Sequence, residues 1–327
     1  MAFAGVYTGD VTDHLVGVFR DPAILIGIPL ALLGAVFMSL GAQYQHRGVV
    51  KVERLTGASG SGGLTLRHFL NLLRRPSWVF GTVMLGTAVV CQLTALAFAP
   101  LILVQPLGAI SLVITTLLNA RVTGHKPTGK SVTAIVACVG GIFVFVTIAA
   151  LVATDTPVSD LQLLVILGLL AVVLAALVTV WLLVRKNTHP LFYVVASGVL
   201  YGFVATLAKT VITRLQSQDV NWLTVLCVVG LVAALAVGAY FVQTAYAVGP
   251  PDLVIAGLTV IDPMVAVLIG LTILREAATA PWPALVGFAV AGLVAVYGVF
   301  SLARHHPQVI SDSRQLPINR GGGDHPA

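Results

Sequence analysis

The residues of this chain most capable of chemistry are few, and they lie inside apolar runs. In PPDLVIAGLTVIDPMVAVLIGLTILRE (250–276), Asp262 and Pro263 stand at the middle of a stretch long enough to cross a bilayer. A carboxylate at that depth costs at least ~2.5 kcal/mol, so it needs a partner, a proton or a purpose. The proline removes one backbone donor and frees a carbonyl in the preceding turn. Opened backbone at membrane depth is tolerated only against protein or a watery cavity. Asp262 is therefore the first candidate for a transport site, as a cation ligand or a coupling carboxylate, with a structural acid as the alternative.

Lys209, in LYGFVATLAKTVI, is a second ionisable group deep in an apolar run. Helical side chains tilt toward the helix N-terminus, which points its ammonium back toward the midplane and Asp262; snorkelling outward is the other option. A lysine there suits an anionic substrate, or a lysine–aspartate lock that opens during transport. Gln92, Gln105 and Gln243 are neutral candidates: amide oxygens suit hard cations, and equally serve as hydrogen bonds between helices. Pro106, in VQPLGAIS, is a second helix break of the same kind as Pro263. Asp262 is the only residue proposed as a direct metal ligand.

These residues must be positioned by membrane helices. The chain has 327 residues, 58% hydrophobic and 9% charged, where soluble proteins carry about a quarter charged. That composition predicts an all-α, multi-pass membrane protein. The net charge of +6 comes from basic residues in short loops, which fits membrane orientation and gives no reason to expect nucleic acid. Cys91, Cys138 and Cys227 fall in apolar runs without metal-ligand spacing and read as packing residues. Residues 1–20 are mixed in character and predict no cleaved signal.

Nine spans of about twenty residues follow: 22–45, 76–98, 100–120, 129–153, 160–184, 191–214, 222–248, 251–274 and 281–303. With the N-terminus outside, fourteen lysines and arginines fall inside and three (Arg20, Arg214 and Arg275) outside, so N-out/C-in is predicted. Residues 1–21 are then an extracytoplasmic N-terminus, and 47–75, Gly/Ser-rich in TGASGSGGLTLRH, a cytoplasmic loop. The tail 304–327 reads as a disordered cytoplasmic segment, with His305 and His306 interfacial rather than metal-binding.

The second half echoes the first. TALAFAPLILV and QTAYAVGPPDLV each close on proline, and each next span carries an intramembrane proline, Pro106 and Pro263. Spans one to four (22–153) and six to nine (191–303) would enter the membrane from opposite sides, with 154–190 as the linking fifth span. Two inverted four-helix repeats are the signature of transporters whose sites lie near the midplane between them. Spans four and nine carry small residues at four-residue spacing, Ala137–Gly141 and Gly287–Ala291–Ala295. Such faces let helices approach closely and predict a homodimer contact.

ALAFAPLILVQPLGAISLVITTLLNA resembles the third and fourth segments of the NIPA-type magnesium transporters of the drug/metabolite transporter (EamA-like) superfamily. LYGFVATLAKTVI and YFVQTAYAVGPPDLVIAGLTVIDP resemble parts of that family's second half. The likeness covers about 25–300 and is strongest over 91–120. It implies nine spans, an outside N-terminus and Mg2+ as cargo; the superfamily also carries sugars, amino acids, nucleotide conjugates and lipid-linked groups. The chain departs from the family after the PLGA motif, where Asn119, Ala120 and Arg121 stand in place of an acid, whereas the second half retains Glu276.

The expectation is a transporter of the plasma membrane working by alternating access, surrounded by lipids, needing no cofactor and carrying a small cation such as Mg2+. A carrier or flippase of an organic or lipid-linked anion is the first alternative, and a non-transporting scaffold the second. No HExxH pattern and no base near Ser197 is found, and no span carries two carboxylates in its interior, Asp252 standing at the edge of the span that holds Asp262, so an enzyme is not expected.

Overall fold

The computed structural model describes residues 22–56, 74–123, 129–154, 158–184, 190–248 and 251–304. The N-terminus, the Gly/Ser-rich stretch after residue 56 and the tail with His305 and His306 lie outside these residues. Among the described residues ten helices follow in order: α1 (Pro22–Thr56), α2 (Pro76–Phe98), α3 (Leu101–Gly108), α4 (Ile110–Thr123), α5 (Gly129–Val152), α6 (Asp160–Val184), α7 (Pro190–Gln216), α8 (Trp222–Val248), α9 (Pro251–Thr272) and α10 (Trp282–Arg304). Within the described residues, eight stretches are long and apolar enough to cross a membrane, one of them the α3–α4 pair as Leu101–Leu118. The remaining expected span, 251–274, is α9, whose apolar portion Gly257–Thr272 is shorter.

Glycine seams dictate how the helices pair. A methyl on Gly198 would lie 2.7 Å from Ile261, one on Gly202 2.6 Å from Val265, and one on Gly257 2.2 Å from Val194. The residue pairs advance together, so α7 and α9 run parallel in close contact. By the same reading α1 runs antiparallel to α2, where Gly27 meets Ala99 and Gly41 meets Gly81. Helix α8 packs on α7, and α3 and α4 lie against α1.

The small residues of α5 and α10 are used within the chain. A Cβ on Gly141 would lie 2.6 Å from the Ala295 backbone nitrogen, and one on Gly298 2.3 Å from that of Cys138. The face expected to join two copies through spans four and nine is thus an intramolecular seam. Four-residue spacing of small side chains specifies a close helix crossing, and the crossing partner here is the other half of the same molecule.

Burial separates centre from periphery. In α7, 61% of the apolar stretch is buried, against 17% in α6. Leu101, Ile102, Leu103 and Val104 of α3 are fully enclosed, together with Leu200, Phe203 and Leu207 of α7. Leu183, Phe143, Leu161 and Leu293 point outward, as lipid-facing residues of a membrane bundle do. Hydroxyls inside the bundle bond to their own helix: Thr206 donates to the Gly202 carbonyl (2.8 Å), Thr210 to Thr206 (2.9 Å) and Ser197 to Tyr193 (2.7 Å). That back-bonding removes the need for a partner across the bundle.

Candidate functional site

The third expected span is broken. Pro106 lies inside α3, and the helix ends two residues later; the Ala109 N–H turns to the carbonyls of Leu107 and Pro106, and α4 starts at Ile110. The break therefore falls just beyond the proline, in a tightened turn. On α9, Pro263 sits inside a helix that continues to Thr272. The two prolines line one cavity of ≈ 90 Å³, between α3, α5, α9 and α10. Thr259 is the only hydroxyl on its wall, and it donates to the Ile255 carbonyl at 2.7 Å. The inter-proline cavity is apolar.

Asp262 does not share that cavity. Its backbone lies against the α7 glycines: a Cβ on Gly198 would be 3.6 Å from the Asp262 nitrogen, and one on Gly202 3.0 Å from its carbonyl oxygen. The carboxylate is close enough to Tyr201 of α7 for the two to interact electrostatically. One carboxylate oxygen, Oδ1, is buried with no hydrogen-bond partner. A buried polar atom without a partner costs about 1–3 kcal/mol; among the described residues Asp262 Oδ1 shares this condition only with Nε of Arg214, whose other nitrogens are bonded.

The lysine does something other than face the acid. Lys209 is 2% exposed, and its Nζ donates to the Ala99 carbonyl oxygen at 3.2 Å. Among the described residues no ion pair joins it to Asp262. Ala99 is the C-terminal cap of α2, so the ammonium meets the negative end of that helix.

The three glutamines diverge. Gln105 is buried on α3, Gln92 half-buried on α2, and Gln243 exposed on the outside of α8. Gln243 is therefore separated from the buried candidates. None of the three amides is hydrogen-bonded to another described residue, so the reading of them as ties between helices does not describe this structure. No group of three or more His, Cys, Asp or Glu residues with metal-holding geometry occurs among the described residues.

One acid carries more structure than its sequence position suggested. Glu276 follows α9 in a turn where Arg275 adopts a φ of 56°, a left-handed conformation uncommon outside glycine. Its carboxylate is buried, with Oε1 accepting from the Leu101 N–H and Oε2 from the Ile102 N–H, each at 2.8 Å. Those amides open α3, where a helix leaves its first four N–H groups without partners. The available signal was Pro100 starting a helix with an acid in the matching second-half loop; the pairing itself spans 175 residues.

At the same end of the bundle Arg214 of α7 is paired with Asp160 and Asp219 and donates to the Val158 carbonyl at 3.1 Å. Gln216 reaches the Ala97 carbonyl (3.1 Å), and Gln162 of α6 the Ile273 carbonyl (2.8 Å).

Comparison with known proteins completes this picture. An uncharacterized protein of Corynebacterium glutamicum is 26% identical over 263 residues, covering 77% of this chain and 86% of its own. Two Arabidopsis thaliana proteins named as probable magnesium transporters, NIPA3 and NIPA5, are 32% and 31% identical over 100 residues. Those matches cover 31% of this chain and only 25% and 24% of the relatives. No solved structure matches the chain. The family model described as magnesium transporter NIPA matches residues 23–218. That is more than half of a multi-pass helical chain, and the protein belongs to this family of membrane transporters.

Proposed function

We propose that the protein carries a small cation, Mg2+ first among candidates, across the plasma membrane by alternating access. The observation that carries this reading is the unpartnered, buried carboxylate oxygen of Asp262 midway along α9. A single acid with nearby amide or carbonyl oxygens suits a cation that keeps several of its waters, as magnesium does. Gln92 and Gln105 are the amides proposed to serve it when the site opens; Gln243 is dropped because it points away. Family membership supports the cargo class, and the names of the Arabidopsis relatives support magnesium.

Rocking of two inverted four-helix repeats, 22–153 and 191–303, is the proposed mechanism, with nine spans, N-out and C-in. What supports it is the matched pairing of helices in the two halves: α1 with α2 as α7 with α8, and α1 with α3 as α7 with α9. The two prolines at one cavity support a pivot there. The anion-carrier reading needs the Lys209 ammonium at the cargo, and that ammonium instead caps α2.

The test is Mg2+ uptake into proteoliposomes. Wild type should give protein-dependent uptake and Asp262→Asn should lose most of it; equal uptake in both, or none that depends on protein, would sink the proposal. A C-terminal fusion reporter active only outside the cell would overturn the orientation.

A further inference from the structure

Six hydrogen bonds that join residues 22–154 to residues 190–304 fall at one end of the bundle, where α2, α5, α7 and α9 finish. Two come from the Glu276 carboxylate, on the Leu101 and Ile102 amides. One comes from Lys209, on the Ala99 carbonyl, and one from Gln216, on the Ala97 carbonyl. The fifth and sixth are the Thr154 amide and hydroxyl on the Glu276 carbonyl, at 2.7 and 3.5 Å. The lysine and arginine distribution places this end outside.

The charges are matched to what they touch. Ala99 ends α2 and Leu101 begins α3, so the Ala99–Leu101 turn presents a negative helix end beside a positive one. The ammonium of Lys209 sits on the first and the carboxylate of Glu276 on the second. Both side chains come from the other half, and both are nearly sealed from solvent, at 2% and 3% exposed. Gly270 packs against the same cluster: a methyl there would lie 3.0 Å from Glu276 Oε2 and from Ile102 Cγ2, which side-chain shifts of a few tenths of an ångström relieve. Lys209 lies seven residues beyond Gly202, the α7 glycine that touches Asp262, which is roughly 10 Å along the helix.

We propose that Glu276 and Lys209 are the two jaws of an outer latch: they hold the Ala99–Leu101 turn shut, and they must release it for Asp262 to be reached from outside. They are positioning residues; neither needs to touch the cargo. The latch has two discrete states for a physical reason. Closed, each charge is satisfied by a helix end in a dry site. Open, water takes over both charges and both helix ends, whereas a half-open state leaves a buried charge with neither. This rests on the alternating-access reading, so the test includes an arm that needs no cargo.

In a background with Cys91, Cys138 and Cys227 replaced, the pair Ile102→Cys and Gly270→Cys places two thiols within disulfide reach across the latch. Full-length protein in proteoliposomes, cross-linked by oxidation, should lose Mg2+ flux and regain it on reduction, while neither single-cysteine variant responds. Cross-linked protein that carries Mg2+ as fast as reduced protein overturns the latch.

The second arm measures labelling of Ala99→Cys by a membrane-impermeant maleimide added outside. Labelling should be slow with Glu276 in place and roughly tenfold faster in Glu276→Gln, or in Lys209→Met, because each removes a charge-assisted bond from the closed state. Equal labelling with and without these changes overturns the latch whatever the cargo is. Labelling that accelerates in a protein that moves no Mg2+ keeps the latch and rejects only magnesium.

Discussion

Asp262→Asn separates a carboxylate kept for transport from one kept for the fold. The substitution preserves shape and removes the charge. In the structure Asp262 Oδ1 is buried without a hydrogen-bond partner, and the ammonium of Lys209 is directed to Ala99. Leaving such a group unsatisfied costs about 1–3 kcal/mol, more when charged, and an acid at the centre of a bilayer costs at least ~2.5 kcal/mol. The asparagine keeps an unsatisfied amide, so part of the penalty remains. The expected outcome is a gain in stability of about 1–2 kcal/mol, read as a higher midpoint of denaturation in detergent, together with lost Mg2+ uptake. A more stable, inactive variant is the mark of a site that trades stability for function. If Asp262→Asn is instead less stable by about 1 kcal/mol or more, the carboxylate makes a structural contact and the reasoning fails.

Other outcomes follow from packing and exposure. Gly298→Ala puts a methyl 2.3 Å from the Cys138 backbone nitrogen; backbone cannot yield as a side chain does, and a loss of about 1–3 kcal/mol is expected as reduced monodisperse yield. Gly202→Val, against Val265 at 2.6 Å, should separate α7 from α9 and lower both the denaturation midpoint and uptake. Gln243→Leu lies on an exposed face of α8 and should leave uptake unchanged, with stability within about 0.5 kcal/mol; a loss of uptake would return Gln243 to the site. Asp160→Asn and Asp219→Asn should each cost under about 1 kcal/mol in thermal denaturation, because the two carboxylates are 59% and 58% exposed and water screens such pairs.

The boundaries of the helices were legible because a span is set by apolar length, a property of the sequence alone. Spans 76–98, 160–184 and 222–248 coincide with α2, α6 and α8, and 129–153 with α5 to within one residue. The first run, 22–45, ends where apolarity ends, while α1 continues to Thr56, since a helix needs no hydrophobicity once it leaves the bilayer. Pro106 marked the broken span, but the chain opens three residues beyond it, at Ala109, where the amide turns back to the Pro106 carbonyl. Small residues on α5 and α10 announced a close helix contact and could not say with which copy. The ionisable residues were legible as expensive and not as paired. Glu276 finds its amides 175 and 174 residues away, and Lys209 its carbonyl 110 away; no local pattern encodes such distances.

Where Lys209 goes bears on the cargo. A lysine facing Asp262 would neutralise the acid and argue against a divalent cation. Instead the ammonium ends on a helix C-terminus, and the compensating negative charge beside it, Glu276, is held by the N-terminus of the next helix. The two charges at this end of the bundle thus meet backbone dipoles, and Asp262 remains the acid whose oxygen lacks a protein partner. An acid left unpartnered near a buried lysine that has been directed elsewhere is what a cation site requires, since any permanent positive partner would have to be displaced before the cargo could bind. The same arrangement makes a prediction for the lysine. If it only caps α2, Lys209→Arg, whose guanidinium also donates to carbonyls, should keep Mg2+ uptake, while Lys209→Glu should abolish it by placing a negative charge on a negative helix end. Uptake that survives Lys209→Glu would show that the cap is not needed, and the separation of roles between Lys209 and Asp262 would fall with it.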